Sequence, residues 1–291
     1  MPKKQKRSFK QNTLAIVYDF DGTLCPKPMQ EYTVLPKLGI DGKTFWAEVD
    51  EEWRREKADP MLTYMRLMLK KLELAGEHLE PKDLAALASE ITYFKGVETW
   101  FDRINQYVAD AGKGMVKLRH YVISAGQQEI LEGISIKKHF HRIYASRYHF
   151  NQHGVGTFAN LVVTDTVKTQ FLFRINKGKE DLHESINDHM PEADRPIPFP
   201  HMIYIGDGMS DVPGMAVTKQ NGGAAVAVYQ PHKKGAKQKC IDLYMAKRID
   251  FFCPADYRAK GRLETCVQRL LDVGIARVLM LREQFSLEAG V

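Results

Sequence analysis

Two aspartates close the apolar run Leu14-Ala15-Ile16-Val17-Tyr18, and both are of a type and spacing that could do chemistry. Asp19 and Asp21 lie two residues apart, so in extended chain their side chains share a face and can address one ligand. A second acidic pair, Asp207 and Asp211, follows Met202-Ile203-Tyr204-Ile205 within Gly206-Asp207-Gly208-Met209-Ser210-Asp211. Between them, Tyr121-Val122-Ile123 delivers the small hydroxyl of Ser124 and then Ala125 and Gly126, while Lys168 offers a cation near an expected helix start. Carboxylates that converge in one crevice repel one another unless a hard cation neutralises them. Magnesium, which takes few carboxylates and fills its shell with waters and substrate oxygens, is the economical choice of Mg2+ over softer ions. Each group also has a duller use: a strand-end acid can be a solvated loop, Ser124 can cap a helix, and Lys168 can be a surface charge.

The elements that must position these groups follow from periodicity. The run ending at Tyr18 has no charge and predicts a buried parallel strand, and in open α/β sheets ligands sit beyond the carboxyl ends of such strands. Cys25-Pro26-Lys27-Pro28 then breaks regular structure, and residues 43–94 predict helix after helix. Phe45, Val49 and Trp53 fall four apart; Leu62, Met65, Leu69 and Leu72 follow a helical period, as do Leu84, Leu87, Ala88 and Ile91. Pro60 and Pro81 sit where helices would start. Three amphipathic helices with no strand between them do not continue a βαβ alternation, which favours a lid over the site rather than more core.

Alternation resumes at residue 97 with a helix marked by Phe101, Ile104 and Val108 and ended by Gly112 and Gly114. Strands are expected at 119–124, 142–145, 202–205, 224–228 and 249–252. Helices are expected at 127–133, after Thr164-Asp165-Thr166, at 233–247 and from 260 onward. Residues 148–163, with Gly154 and Gly156 among aromatic and β-branched residues, predict a hairpin or flap, and residues 177–199 a polar loop or a short surface helix.

Composition narrows the class. The 291 residues are 44% hydrophobic, enough to bury a core, and the formal charge of +6 suits an anionic substrate. The 36 acidic residues are interspersed with 42 basic ones. The concentrated basic run Lys3-Lys4-Gln5-Lys6-Arg7 lacks aromatic punctuation, so a solvated tail is expected and no nucleic-acid partner. Cys25, Cys240, Cys253 and Cys266 are widely spaced without a C-x-x-C, which indicates neither zinc nor a disulfide framework and suits a reducing cytosol. With no apolar run of membrane length and no apolar leader after the charged start, a cytoplasmic protein without a membrane partner is expected.

Taken together, these motifs resemble the haloacid dehalogenase-like hydrolase superfamily, whose members are mostly magnesium-dependent phosphatases. The signature D-x-D-x-T is Asp19-Phe20-Asp21-Gly22-Thr23; the second motif is Tyr121-Val122-Ile123-Ser124; the third is the lysine, best matched by Lys168; the fourth, G-D-x-x-x-D, is Gly206-Asp207-Gly208-Met209-Ser210-Asp211. All four occur in the family's order between about residues 13 and 230. The resemblance implies a Rossmann-like α/β core, a parallel sheet with helices on both faces, formed by residues 1–25 and 95–291. It also implies an all-helical cap domain over 26–94. Asp19 would be the nucleophile that forms an aspartyl phosphate, and Asp21 the acid that protonates the leaving oxygen and then activates water. Metal ligation would fall to Asp19, Asp21 through its backbone carbonyl, Asp207, and Asp211 in support. Gly22, Thr23, Ser124, Ala125, Gly126 and Lys168 would bind substrate phosphate, Ser124 and Lys168 with catalytic weight.

Within that superfamily, Asp21 argues for an oxygen leaving group and for rapid hydrolysis of the aspartyl phosphate. Helical caps at this insertion point usually accompany small soluble phosphorylated substrates, as in the phosphoserine phosphatase and pyrimidine 5′-nucleotidase branches, both similar to Ser124-Ala125-Gly126. Two rivals stay open here: a phosphotransferase or mutase of the same superfamily, and a catalytically silent binding protein. Substrate identity and oligomeric state are not readable from these residues.

Overall fold

The computed structural model describes residues 8–289. The basic run at residues 3–7 lies outside the described residues. Seven strands form one sheet in the order β4-β3-β2-β1-β5-β6-β7: β1 Thr13–Tyr18, β2 Lys117–Gln127, β3 Phe140–Phe150, β4 Gly156–Leu161, β5 Met202–Gly206, β6 Ala224–Tyr229 and β7 Phe251–Pro254. All neighbours are parallel except β3 and β4. Every residue of β1 is buried, as an uncharged central strand covered on both faces must be. The strand order reverses at β1, with β2 on one side and β5 on the other. The crevice at such a switch point is where α/β sheets bind ligands.

The ten helices described are α1 Val34–Lys37, α2 Gly42–Glu56, α3 Pro60–Leu74, α4 Pro81–Leu87, α5 Val97–Ala111, α6 Gln128–Leu131, α7 Val167–Lys177, α8 Val212–Gln220, α9 Ala236–Met245 and α10 Arg262–Ala289. Alternation along β1 sorts them. Leu14, Ile16 and Tyr18 face a cluster with Phe101, Ile104 and Val108 of α5 and Val267 and Leu271 of α10. Ala15 and Val17 face the opposite cluster, with Phe171 and Leu172 of α7, Met215 of α8 and Leu243 of α9. Helices thus cover both faces of a Rossmann-like α/β sheet.

Between β1 and α5 the described chain is helical and carries no strand. Asp59 caps α3 by accepting the Met61 and Leu62 amides at 2.8 and 2.9 Å, with Pro60 in the first position where its missing N–H costs nothing. The buried stripe of α3 is Tyr64, Met65, Met68 and Leu72. Leu62, expected in that stripe, is 48% exposed. At about 100° per residue it stands roughly 120° around the helix from Met68, beyond the packed face.

The expected hairpin is real: β3 runs past its parallel pairing with β2 and turns at Asn151–Val155 into antiparallel β4, which lies against α3. The helix expected at 127–133 is shorter, because Gln127 still pairs with β3 across a bulge and one turn remains before Gly133. The last strand begins two residues later than expected, at Phe251.

Candidate active site

Asp19 follows β1 directly, and its amide still bonds the Ile205 carbonyl of β5 at 2.9 Å, so its side chain leaves the sheet at the switch point. It is 4% exposed. Lys168, in the first turn of α7 and fully enclosed, donates to Asp19 Oδ1 at 2.9 Å and to Asp211 Oδ1 at 2.7 Å. Burial opposes its charge, but Asp19 and Asp211 outweigh that and hold its pKa well above the ordinary lysine value. The lysine expected as the third motif therefore bridges the aspartates of the first and fourth.

Asp211 is saturated by donors. Oδ1 also accepts the Tyr204 hydroxyl at 2.8 Å, and Oδ2 accepts the Asp207 amide at 3.1 Å and the Gly208 amide at 3.4 Å. Four donors thus occupy its two oxygens. Asp211 consequently fixes Lys168 and the Asp207 loop, and leaves Asp19 and Asp207 with coordination to offer. One oxygen each of Asp19, Asp207 and Asp211 lies within 4.8 Å of the others. These are hard anionic donors of the kind a small divalent cation takes. Burial and the Asp211 charge push the Asp19 carboxyl well above the usual range despite Lys168, and the same two causes raise Asp207 to about 7. A bound cation would reverse that cost, so the donor set fits the ion the sequence points to.

Asp21 stands apart from this trio. The chain turns tightly after Phe20, whose carbonyl accepts the Thr23, Leu24 and Cys25 amides. In that turn the Asp21 carboxyl takes partners of its own: Oδ1 accepts the Met29 amide at 2.9 Å and the Cys25 thiol at 3.6 Å. Burial raises its pKa to about 7, opposed by the Met29 hydrogen bond. The two aspartates of one motif thus have different partners: Asp19 a lysine, Asp21 neutral donors. Environments that differ in this way suit two carboxylates to different chemical tasks.

The remaining expected residues lie next to Asp19 and Asp21 in the turn after β1, and near the C-terminal end of β2. Gly22 has φ +81°, and a Cβ there would stand 2.2 Å from Asp207 Oδ2, so the first motif's turn seats the carboxylate of the fourth. Thr23 is buried and its hydroxyl has no hydrogen-bond partner in the structure. At the end of β2, the Ser124 hydroxyl accepts the Gly126 amide at 2.9 Å, curling Ala125 and Gly126 toward Asp21. Sequence reasoning missed Tyr204, Met29 and Tyr64, whose hydroxyl donates to the Ala125 carbonyl at 3.0 Å. Tyr204 carried one usable signal: a tyrosine inside a buried strand must find a partner for its hydroxyl.

A family model described as haloacid dehalogenase-like hydrolase matches residues 16–216. The chain belongs to the haloacid dehalogenase-like hydrolases. A relative from Borreliella burgdorferi (strain ATCC 35210), described as an uncharacterized protein, is 25% identical over 278 residues, 87% of this chain and 95% of its own length. Among solved structures, a HAD family hydrolase from Salmonella enterica subsp. enterica serovar Typhi superposes with a TM-score of 0.58 at 15% identity, covering 91% of this chain and 72% of that one. A phosphoserine phosphatase solved as a phospho-aspartyl intermediate analogue gives 0.56 at 16% identity over 89% of this chain and 99% of its own. A substrate-bound phosphoserine phosphatase complex gives 0.55 at 15% identity with the same coverage. At these identities the superpositions describe a shared fold. No helix among the described residues is long and apolar enough to cross a membrane.

Proposed function

We propose that this hydrolase is a phosphatase that cleaves a small soluble phosphomonoester through an aspartyl phosphate on Asp19, working in the cytoplasm without a nucleic-acid partner. The observation that carries this reading is the division of labour between Asp19 and Asp21. One carboxylate sits on a buried lysine, ready to attack phosphorus. The other, raised to about 7 among neutral donors, can give a proton near neutral pH and take one back. A dehalogenation would have no use for that second group, because halide leaves without a proton.

In this mechanism an Asp19 oxygen attacks phosphorus while Asp21 protonates the departing ester oxygen. Asp21, now ionised, takes a proton from the water that attacks the aspartyl phosphate and releases Asp19. Ser124 and the amides after it hold phosphate oxygens, with Gly22 and Thr23 shaping the other wall. Lys168 balances the negative charge that builds on the transferring group. Asp19, Asp207 and the backbone carbonyl of Asp21 would hold Mg2+, with Asp211 in support; the ion would supply positive charge against the phosphate oxygens so that an anionic nucleophile can approach. The helices of residues 26–94 act as a cap that keeps bulk water from the aspartyl phosphate, on a core of residues 1–25 and 95–291.

A panel of phosphate esters assayed with Mg2+ and with chelator tests the activity. In the Asp21→Asn variant, phosphate from a labelled ester should accumulate on Asp19, detected by intact mass. Full turnover by that variant with no trapped phosphoenzyme would remove Asp21 from the mechanism, and transfer of label to an organic acceptor instead of water would make the protein a phosphotransferase.

A further inference from the structure

The phosphate cradle is filled by the protein itself. Met29 lies in a single 3-10 turn, Met29–Glu31, immediately after Pro28, and is fully buried. Its amide bonds Asp21 Oδ1 at 2.9 Å, and its thioether sulfur accepts the Gln127 amide at 3.2 Å. A Cβ on Gly126 would stand 2.1 Å from Met29 Cε and 3.2 Å from Asp21 Oδ2, so the methyl group presses on the bare glycine beside the acid. Only a glycine at 126 leaves that space. A thioether is a weak acceptor, and one facing a backbone N–H of an anion-binding turn holds a position better suited to a phosphate oxygen. The cap is meanwhile tied down on this turn: Tyr64 of α3 donates to the Ala125 carbonyl at 3.0 Å, and Tyr148 of β3 donates to the Met65 carbonyl of α3 at 3.0 Å.

We propose that Met29 is a built-in wedge that competes with substrate for the phosphate cradle, so that a phosphate ester binds only as the thioether leaves Gly126 and Gln127. The proposal rests on the phosphatase reading for the identity of the competing ligand. The main chain of residue 29 keeps its bond to Asp21, so the wedge moves by side-chain rotation with the acid still oriented. The occupant that displaces it must offer an anionic oxygen to the Gln127 amide and carry an uncharged group on the ester oxygen, since the wall beside Asp21 is a thioether and a glycine. Every substrate then binds with its affinity divided by the fraction of molecules whose cradle is open.

Calorimetric titration of inorganic phosphate in Mg2+ reads this directly, without turnover. Met29→Ala should bind phosphate about tenfold more tightly than wild type, the change for a cradle open about one tenth of the time. KM for a hydrolysed ester should fall with kcat altered less than about threefold. Met29→Leu keeps the bulk, loses the sulfur acceptor and should tighten phosphate binding by about threefold, so it carries the test if the alanine variant does not fold. Equal or weaker phosphate binding in a folded variant that still hydrolyses esters overturns the wedge and leaves the phosphatase reading intact. Tighter phosphate binding with no ester hydrolysed by any variant supports the wedge and overturns the phosphatase reading. No phosphate binding by any folded variant overturns both.

Discussion

Tyr18 and Asp19 are neighbours in the chain, point to opposite faces of the same strand, and begin two buried polar networks of opposite character. On the Tyr18 side, Trp100 Nε1 donates to the tyrosine oxygen at 2.8 Å, the hydroxyl meets His120 Nδ1 at 3.1 Å, and His120 Nε2 meets Asn105 Oδ1 at 3.1 Å. Trp100 can only donate and Tyr18 then donates onward, which assigns the neutral Nε2–H tautomer to His120 and satisfies every group. Burial pushes that histidine down to about 3. On the Asp19 side three carboxylates, Asp19, Asp207 and Asp211, gather around one lysine and the Tyr204 hydroxyl. The first network is complete without a ligand, whereas the second holds negative charge that only a cation or a proton relieves. Burial therefore does not tell the two networks apart; completeness does.

The contrast breaks first, and most sharply, at Asp19. Asp19→Asn should cut turnover by roughly three orders of magnitude or more while leaving the unfolding midpoint at or above that of wild type, because one repelling carboxylate is gone. Activity within tenfold of wild type in a folded variant would remove the nucleophile. Lys168→Met should be next: stripped of their shared cation, Asp19 and Asp211 become uncompensated buried acids, and stability by urea titration should fall by about 3 kcal/mol.

Across the strand the effects should invert. Tyr18→Phe leaves the Trp100 and His120 nitrogens short of a partner and should cost about 1–3 kcal/mol of stability with turnover changed by less than about twofold. A large loss of activity there would mean that the two faces communicate. The smallest expected effect is a slope. The His120 pKa is depressed on folding, so its contribution is whole above the ordinary histidine value of about 6.5 and is lost as pH falls toward about 3. His120→Gln should flatten the acid limb of the stability profile in that window by up to about 1.4 kcal/mol per pH unit. An unchanged slope would show that folding leaves the proton equilibrium of this ring where it is in the unfolded chain.

How much of this was legible in the sequence differs between the same two networks. Asp19, Asp21, Ser124, Lys168, Asp207 and Asp211 announce themselves because strand-end acids and a helix-start lysine are poor packing choices, and the strand reading brings their positions together. Tyr18, Trp100 and His120 look like ordinary core residues at helix and strand spacing, since nothing local says which hydroxyl will meet which ring. Met29 is hidden for a related reason. Its neighbours Gly126 and Gln127 come from a strand that lies beyond helices α1 to α5 in sequence, and a methionine beside a proline carries no pattern. The extent of β2 is not legible locally because its continuation past Gly126 depends on pairing with β3, not on its own residues.

Gly22 and Asp207 have one more consequence. The loop after β1 has a notch where a side chain would be, and the carboxylate beyond β5 fills it, so neither loop has its working shape until those two strands lie side by side. A chain that has made its local helices but not that distant pairing has no half-formed site with partial activity. Competence should therefore arrive in one step late in assembly, and fragments cut between the two loops should be inert alone and regain function only when mixed.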